Sequence, residues 1–258
     1  MAITPTALHD ALTQATEALR SQRIEGLFDT TPDRASGYRC EAAGLTLDYS
    51  KHLLDDDAWQ TLSMLVDTYA LPAAFASLIG GEIVNTSEHR PALHTLLRGT
   101  ASDQHPEKSK EIEETLSRMA VLVESIHSGA STGDTGKRFT DVVNLGIGGS
   151  DLGPRLVCEA LHTHAAPLKA HFVANIDPDD LDGTLAPLNP ETTLFVICSK
   201  SLSTEETLSN AERAIDWLQA GDIQGQAVGA HLIAVTTQVA KAGRWHIPPE
   251  RCLSLIHI

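Results

Sequence analysis

The segment VVNLGIGGSDLGP, residues 142–154, decides the fold. It joins a short apolar run to three closely spaced glycines, and Pro154 then suits the first turn of a helix. Glycines allow a tight turn and let a ligand approach backbone N–H groups. Because free N–H groups and the helix dipole favour anions at a helix N-terminus, the segment predicts an anion site that includes Ser150. The alternative interpretation is a tight strand-to-helix turn that binds no ligand.

Outward from this segment, short apolar runs alternate with helix-like stretches. The other apolar runs are 171–175, 194–199 and 231–236. The helix-like stretches are 152–161, 179–186 and 204–218. Apolar strands separated by helices predict an α/β fold, in which a parallel sheet is covered by helices on both faces. Ligands of such sheets bind at the carboxyl ends of the strands, so the residues that follow each strand are the candidates for a site.

The third strand of this pattern is followed by SKSLSTEET, residues 199–207, which is rich in hydroxyl groups. A phosphate monoester has several oxygens to satisfy, and short donors beside a lysine and a helix start suit that shape. The candidate phosphate ligands are Ser199, Lys200, Ser201, Ser203, Thr204 and Thr207. Together with the glycine segment, they predict a small phosphorylated polyol as ligand, with one loop on the sugar and the other on its phosphate.

Other interpretations of the hydroxyl-rich segment stay open at this point. Ser203 and Glu206 have the spacing of a capping box, which stabilises a helix without any ligand. Lys200 is also compatible with an ordinary solvated lysine. Glu205 and Glu206 place negative charge in the same helical turn, so they must point away from a bound anion.

A dinucleotide-dependent oxidoreductase is a further alternative. Gly146 and Gly148 have the spacing that begins a dinucleotide fingerprint, and Asp177 follows the second strand, where a ribose-binding acid is expected. Asp151 stands where the third glycine belongs, however. This mismatch and the hydroxyl-rich segment disfavour the dinucleotide interpretation.

The first half of the chain has helical spacing instead. The first apolar stripe consists of Leu8, Leu12, Ala15 and Leu19. The Gly/Ser/Thr-rich segment 128–136 predicts a loop and a domain boundary. We therefore expect a mainly helical segment over residues 1–128 and a sheet domain over residues 137–258.

The composition excludes several classes of function. With 19 basic and 34 acidic residues the net charge is −15, and no Lys/Arg cluster offers the basic face that nucleic acid requires. The four cysteines are too widely spaced for a zinc site or a disulfide framework, and no other metal-ligand cluster is recognised. No apolar run approaches the roughly 18 residues of a membrane span, and the first residues do not resemble a signal peptide. We expect a cytoplasmic protein without nucleic-acid, membrane or metal partners.

Several segments resemble the glucose-6-phosphate isomerase family. Residues 142–154 carry its glycine segment almost unchanged, and residues 199–207 are similar to its SKTFTTQET phosphate loop. LTLDYSKHLL (45–54), GEIVNTSEHRPALH (81–94) and TGKRFTDVVN (135–144) also resemble family segments. In the hydroxyl-rich segment, serines replace two threonines and keep the hydroxyl groups. The resemblance extends in order over about residues 25–252.

The resemblance implies a sugar-isomerase (SIS) type of sheet, followed by a larger similar domain. It implies that Gly149 and Ser150 contact the substrate. It implies that the sugar-phosphate site is lined by Ser199, Lys200, Ser201, Ser203, Thr204 and Thr207. The expected ligand is glucose 6-phosphate or fructose 6-phosphate, which acid–base groups interconvert through an enediol in glycolysis and gluconeogenesis. The family also implies a cytoplasmic homodimer that needs no cofactor.

The catalytic acid–base groups of that family are expected farther along the chain than these residues reach. We therefore expect an N-terminal fragment, truncated before the second SIS domain, with no catalytic residue, no turnover of its own and a tendency to aggregate. Residues 253–258 depart from the family pattern and are interpreted as non-native sequence. The alternative is a stand-alone SIS domain that binds a sugar phosphate without catalysis, although the segments at 45–54 and 81–94 argue against it.

Overall fold

The chain folds as two compact units, Met1–Ala92 and Leu93–Ile258. The computed structural model describes residues 5–99, 102–163 and 166–254. Part of the segment interpreted as non-native, residues 255–258, therefore lies outside the described residues. The predicted division of the chain near residues 128–137 stays a prediction.

The first unit consists mainly of helices. Its elements are α1 (Pro5–Arg20), α2 (Ile24–Thr30), α3 (Arg34–Gly37), β1 (Arg39–Ala42), β2 (Leu45–Asp48), α4 (Asp56–Thr68) and α5 (Leu71–Ile79). The predicted stripe of α1 is confirmed, since Leu8 and Leu19 are buried and Leu19 packs in a cluster with Leu27 and Ala58. The carboxylate of Asp55 caps α4 by accepting a hydrogen bond from the N–H of Ala58, at 2.9 Å.

The antiparallel hairpin β1–β2 is not predicted by the apolar spacing. Both strands are exposed along their whole length, so no buried face imposes a two-residue pattern on the sequence. Ala43 and Gly44 form the turn with φ values of 51° and 77°. Positive φ at both central residues matches the twist of a two-residue hairpin, which explains why Gly44 occupies one of them.

A buried arginine organises the backbone after this hairpin. Arg34 is fully buried. Its Nε donates to the carbonyl oxygen of Ser50 at 2.6 Å, and its Nη2 donates to those of His52 and Leu54 at 2.8 and 2.7 Å. The guanidinium also lies 4.1 Å from the centroid of the Tyr38 ring. A buried charge is costly unless it is hydrogen-bonded, so Arg34 needs these carbonyl groups as partners. The three bonds in turn fix the backbone of residues 50–54.

The second unit contains a parallel sheet. Its strands are β3 (Asp141–Leu145), β4 (Lys169–Val173), β5 (Thr193–Cys198), β6 (Leu232–Val235) and β7 (Cys252–Leu253). Its helices are α6 (Pro106–Ser128), α7 (Leu152–Ala160), α8 (Pro178–Leu185), α9 (Glu205–Ala220) and α10 (Val239–Ala242). The five strands lie in the order β4-β3-β5-β6-β7, and all the pairings are parallel. The predicted α/β fold class is confirmed.

Helices cover both faces of this sheet. Phe195 and Ile197 of β5 point to one face and pack in a cluster that includes residues of α8 and α9. Leu194 and Val196 point to the opposite face and pack in a second cluster with Ile126 of α6. Successive side chains of a strand point to opposite faces, so a strand buried on both sides must be apolar throughout. This requirement explains the continuous apolar run that predicts β5.

The strand order changes direction between β3 and β5. From β3 the chain passes through α7 to β4 on one side, and from β5 it passes through α9 to β6 on the other side. The two strands are direct neighbours, with Leu145 paired to Ile197. In open parallel sheets, ligands bind in the crevice beyond the carboxyl ends of two such strands. The fold therefore places its candidate site between the segments that follow β3 and β5.

A buried histidine closes the opposite, amino end of the sheet. His231 is fully buried, and its Nδ1 lies 2.9 Å from the carbonyl oxygen of Thr193. The N–H of Asp134 donates to its Nε2 at 3.0 Å. An added Cβ on Gly133 would approach the His231 ring to 2.3 Å, so only glycine fits there. These contacts fix the position of Gly133 and Asp134 in the predicted loop, residues 128–136, which starts where α6 ends.

Two helices carry exposed apolar side chains. In the first unit, Leu71 and Phe75 of α5 are 54% and 60% exposed. In the second unit, Leu152 and Leu156 of α7 are each 67% exposed. Among the described residues no single helix has the length and apolar content to cross a membrane, and α4 and α5 reach them only together, across a 50° bend. These faces distinguish α5 and α7 from α8 and α9, whose apolar stripes are buried.

Candidate functional site

The segment after β3 is a tight turn, here called the glycine loop, Gly146–Ser150. An added Cβ on Gly146 would lie 2.5 Å from the carbonyl oxygen of Ser150, so the loop closes only with glycine at this position. Gly148 has φ +57°, which glycine adopts without strain. Within the described part of the chain, no backbone carbonyl accepts a hydrogen bond from the N–H of Gly149, which is exposed. The glycine loop therefore presents a donor at the carboxyl end of β3, next to the Ser150 side chain.

Asn144 connects the glycine loop to β5. This residue of β3 is buried, and its Nδ2 donates to the carbonyl oxygen of Ser150 at 3.0 Å. Its Oδ1 accepts a hydrogen bond from the Sγ of Cys198 at 3.2 Å. Burial raises the pKa of the Cys198 thiol to about 11, so the thiol keeps the proton that it donates. Asn144 is not among the residues predicted from the sequence, although its polar side chain interrupts the apolar run VVNL, 142–145.

Asp177, the ribose-binding acid of the dinucleotide alternative, and Asp151, which replaces the third glycine of its fingerprint, have structural roles. Asp151 is buried and forms an ion pair with Arg155, one turn later in α7, at 3.0 Å. Asp177 is the N-cap of α8 and accepts a hydrogen bond from the N–H of Asp179 at 3.1 Å. Because its carboxylate already caps a helix, Asp177 is poorly suited to bind a ribose.

The segment after β5 is here called the hydroxyl loop, Ser199–Thr204. Its backbone begins with a hydrogen bond from the N–H of Ser199 to the carbonyl oxygen of Val235, at 3.1 Å. The Ser199 hydroxyl is buried and has no hydrogen-bond partner among the described residues. A buried hydroxyl without a partner costs about 1–3 kcal/mol, so a ligand that bonds to it would recover that free energy.

Leu202 anchors the hydroxyl loop in the core. Its side chain is only 5% exposed and packs in the cluster beneath α8 and α9. Its backbone has φ +44°, a left-handed conformation that costs a leucine on the order of 1–2 kcal/mol. The loop is thus held in a strained shape, with the exposed hydroxyls of Ser201 and Ser203 2.5 Å apart on either side of the anchor.

The capping box considered in the sequence analysis is not formed, and that interpretation is wrong. Helix α9 begins at Glu205, its N-cap residue is Thr204, and the Thr204 side chain makes no capping hydrogen bond. Among the described residues, no backbone carbonyl accepts from the N–H groups of Ser201, Ser203 or Thr204. The first N–H groups of α9 are also free by the geometry of a helix. Several donors are therefore available together at the start of α9.

The remaining predicted ligands lie on the same segment with different exposure. Thr207 is buried in the first turn of α9, whereas Lys200 is exposed. Glu205 is exposed and Glu206 is partly buried in that turn. The structure thus places the sequence-predicted site residues on two loops that follow the neighbouring strands β3 and β5, except Thr207, which lies in the first turn of α9. Among the described residues, no three His, Cys, Asp or Glu side chains are close enough together to hold a metal ion.

The family model of phosphoglucose isomerase matches residues 48–257, which is most of the chain. The chain belongs to the phosphoglucose isomerase family. This membership confirms the resemblance seen in the glycine and hydroxyl segments, and it is consistent with a sheet of the SIS type. The roles of individual residues in substrate binding stay predictions.

Named relatives in the phosphoglucose isomerase family agree with this result. Glucose-6-phosphate isomerase of Saccharophagus degradans is 42% identical over 235 residues, covering 91% of this chain and 43% of the relative. That of Ralstonia pickettii is 39% identical over 256 residues, covering 95% of this chain and 47% of the relative. The crystal structure of a glucose-6-phosphate isomerase from Chlamydia trachomatis superposes with a TM-score of 0.71 and 26% identity, over 90% of this chain and 44% of that one. This chain thus spans somewhat less than half the length of the relatives it matches.

Proposed function

We propose that the whole protein is a glucose-6-phosphate isomerase that interconverts glucose 6-phosphate and fructose 6-phosphate. Its place is glycolysis and gluconeogenesis in the cytoplasm, its full-length form is a homodimer, and its reaction uses no cofactor. Within it, these 258 residues supply the phosphate-binding half of the site. The observation that carries the proposal is the buried Ser199 hydroxyl, which has no partner among the described residues, beside N–H groups before α9 that no described backbone carbonyl accepts.

The hydroxyl loop binds the phosphate group in this proposal. The Ser199 hydroxyl and the N–H groups of Ser201, Ser203 and Thr204 donate to phosphate oxygens, as anions at helix N-termini require. The side chains of Ser201, Ser203, Thr204 and Thr207 add hydroxyl donors, and the Lys200 ammonium adds positive charge at the exposed edge. The negative charges of Glu205 and Glu206 in the first turn of α9 repel a phosphate group. Hydroxyl and N–H donors without a nearby positive charge would therefore bind phosphate poorly.

The glycine loop binds the sugar in this proposal. The N–H of Gly149 and the hydroxyl of Ser150 lie beyond the carboxyl end of β3, next to the hydroxyl loop, because β3 and β5 are neighbours. A sugar that is held by its phosphate at one loop can therefore reach the other loop with its hydroxyl groups. Two anchoring points also fix the orientation of the carbon chain, which proton transfer between adjacent carbons requires.

Turnover is assigned to the whole protein and not to these residues taken alone. Isomerisation moves a proton between two carbons through an enediol, which requires a positioned base and acid groups that open the sugar ring. We assign those groups to the part of the relatives' length that this chain does not span, which is more than half of it. The exposed apolar faces of α5 and α7 support the presence of a covering partner, and they are the reason to expect aggregation of these residues alone. The division into a helical segment, 1–128, and an SIS domain, 137–258, is part of the same proposal.

A stand-alone sugar-phosphate-binding protein without catalysis is the second candidate. It is favoured by one observation, namely that both loops are formed inside a single compact unit. It shares the ligand and the loops with the first candidate and differs only in turnover by the whole protein.

Calorimetric titration of the chain tests the proposal. We expect glucose 6-phosphate and fructose 6-phosphate to bind, glucose to bind at least about a hundredfold more weakly, and NAD not to bind. Ser199→Ala should weaken sugar-phosphate binding about tenfold, since a hydrogen bond to a charged group is worth more than 1 kcal/mol. Ser209→Ala, in α9 but outside the hydroxyl loop, is the matched control. Equal affinity for glucose and glucose 6-phosphate would contradict the phosphate assignment.

A coupled assay of turnover separates the two candidates. The chain alone is expected to show none, whereas a longer product of the same gene that includes a second SIS domain should isomerise glucose 6-phosphate. Turnover by the 258-residue chain would refute the assignment of catalysis to the remaining part of the protein.

A further inference from the structure

The turn after β6 supports the hydroxyl loop from behind. The carbonyl oxygen of Lys200 accepts three hydrogen bonds from this turn. They come from the N–H of Thr237 at 2.9 Å, the Thr237 hydroxyl at 2.8 Å and the Thr236 hydroxyl at 3.0 Å. Three donors on one side of this carbonyl oxygen fix the direction of the Lys200 carbonyl group.

Lys241 makes a second contact of the same kind. It lies on α10, and its Nζ donates to the carbonyl oxygen of Ser201 at 3.0 Å. Its side chain is exposed, so its position is not explained by packing in the core. Two successive carbonyl groups of the hydroxyl loop are thus drawn toward the residues that follow β6.

The direction of these carbonyl groups fixes the direction of a free donor. In a trans peptide unit the C=O and N–H bonds point in opposite directions. The Lys200 carbonyl belongs to the same peptide unit as the Ser201 N–H, which no backbone carbonyl accepts among the described residues. Holding the carbonyl toward Thr237 therefore aims this N–H away from Thr237. Because the Lys200 and Ser201 carbonyl groups both point toward residues after β6, their oxygens are also turned away from an anion, which they would repel.

We propose that Thr237 and Lys241 are positioning residues of the phosphate site, and that Lys241 is its second cation. This inference rests on the proposed function of the hydroxyl loop. Thr237 acts through the Lys200 carbonyl, and Lys241 acts through the Ser201 carbonyl and through its charge. That charge is opposite in sign to those of Glu205 and Glu206 in the first turn of α9. The ligand chemistry is a phosphate dianion, whether free or carried by a sugar.

Titration of the 258-residue chain with inorganic phosphate and with glucose 6-phosphate tests the two residues. Lys241→Met should raise both dissociation constants about fivefold, the scale of one partly exposed charge contact, and Lys241→Arg should stay within about twofold. Lys110→Met, a lysine on the exposed surface of α6, is the matched control and should change neither constant. The salt dependence of phosphate binding should also become shallower in Lys241→Met, because one attractive charge is gone.

Thr237 is tested by a second pair of variants. Thr237→Val should raise the phosphate dissociation constant about threefold, and Thr237→Ser should restore it, since serine keeps the hydroxyl donor. Thr184→Val, which removes an exposed hydroxyl within α8, is the matched control. In ¹H–¹⁵N spectra the Ser201 amide should shift on phosphate addition in the unmodified chain and shift less in Lys241→Met and Thr237→Val. A merely structural role would not produce this loss while the rest of the spectrum is unchanged.

The outcomes separate this inference from the proposed function. If the unmodified chain binds glucose 6-phosphate and Lys241→Met binds it equally well with the same salt dependence, the role of Lys241 is refuted and the proposed function stands. If Thr237→Val also binds equally well, the whole inference fails. If the unmodified chain binds neither phosphate nor glucose 6-phosphate, the proposed function fails, and this inference fails with it.

Discussion

The glycine loop and the hydroxyl loop leave neighbouring strands at the same edge of the sheet, yet their shapes are fixed by different means. The glycine loop closes on itself, with Gly146 against the carbonyl group of Ser150, and a single side chain, Asn144, ties it to β5. The hydroxyl loop has a weaker closure of its own, a hydrogen bond of 3.4 Å from the Leu202 N–H to the Ser199 carbonyl oxygen, and depends more on contacts from outside. Leu202 anchors it in the core at positive φ, and residues after β6 hold its carbonyl groups.

This difference has a physical consequence for how each loop tolerates change. The glycine loop leaves no room for a side chain at Gly146, so one added methyl group disrupts it. A loop held from outside depends on several separate contacts, so the loss of one weakens it by a fraction. The predictions below test this contrast, beginning with the largest expected effect.

Gly146→Ala should be the most damaging single change. The added Cβ would lie 2.5 Å from the carbonyl oxygen of Ser150, so the loop must move, and we expect a loss of about 2–4 kcal/mol in the free energy of unfolding. Urea unfolding measures this loss. Gly149→Ala is the control, because an added Cβ there meets nothing within 4 Å. Equal stability of the two variants would show that the glycine loop does not close as described.

Asn144→Leu should have the next largest effect. The change leaves the Ser150 carbonyl and the Cys198 thiol without their partner, and we expect a loss of about 1–3 kcal/mol in the free energy of unfolding. Cys198→Ala removes only the weaker of the two bonds and should cost less than Asn144→Leu. A larger loss of stability in Cys198→Ala than in Asn144→Leu would mean that the thiol contact contributes more than the bond to Ser150.

Ser199→Ala should separate stability from binding. Within residues 5–99, 102–163 and 166–254 the buried Ser199 hydroxyl has no partner, so its removal should leave the free energy of unfolding unchanged or raise it by up to about 1 kcal/mol. The same variant is expected to bind sugar phosphate more weakly. Thermal unfolding without ligand, compared with unfolding at saturating glucose 6-phosphate, measures both effects. A variant that is less stable without ligand would indicate that Ser199 serves the fold.

Acidification should weaken the second unit through His231, far from both loops. Burial is the main cause that lowers the pKa of His231 below 6.5, with Arg251 also lowering it and Asp134 and the Thr193 carbonyl raising it. Between the folded pKa and 6.5 the unfolded chain binds more protons, so stability rises with pH in this window and falls as the pH drops through it. Urea unfolding at several pH values should show this slope, and His231→Gln should reduce it. An unchanged slope in the variant would assign the effect to other groups.

The sequence predicts those parts of the molecule in which burial imposes a pattern. Strands β3, β5 and β6 pack apolar side chains on both faces, so their apolar runs are visible, whereas β4 lies at the edge of the sheet and its first two residues are exposed. The hairpin β1–β2 is exposed along both strands, so burial imposes no apolar pattern on it. Arg34 also escapes prediction, because its partners are backbone carbonyl groups that any residue supplies.

The candidate site was predictable in composition but not in geometry. The hydroxyl and glycine residues are visible as motifs, and the family resemblance gives them a role. The spacing of Ser203 and Glu206 predicts a capping box, but α9 begins at Glu205 with Thr204 as its N-cap, one residue later than that spacing requires. Asn144 and Lys241 act across distances of 6 and 40 residues along the chain, which no local pattern reveals.

A crystal structure of the chain with bound fructose 6-phosphate is the most direct test of phosphate binding by the hydroxyl loop. We expect the phosphate group to lie within hydrogen-bond distance of the Ser199 hydroxyl and of the N–H groups of Ser203 and Thr204, with the sugar extending toward Gly149 and Ser150. A phosphate bound at the amino end of the sheet, or a sugar phosphate that leaves Ser199 unpaired, would contradict it.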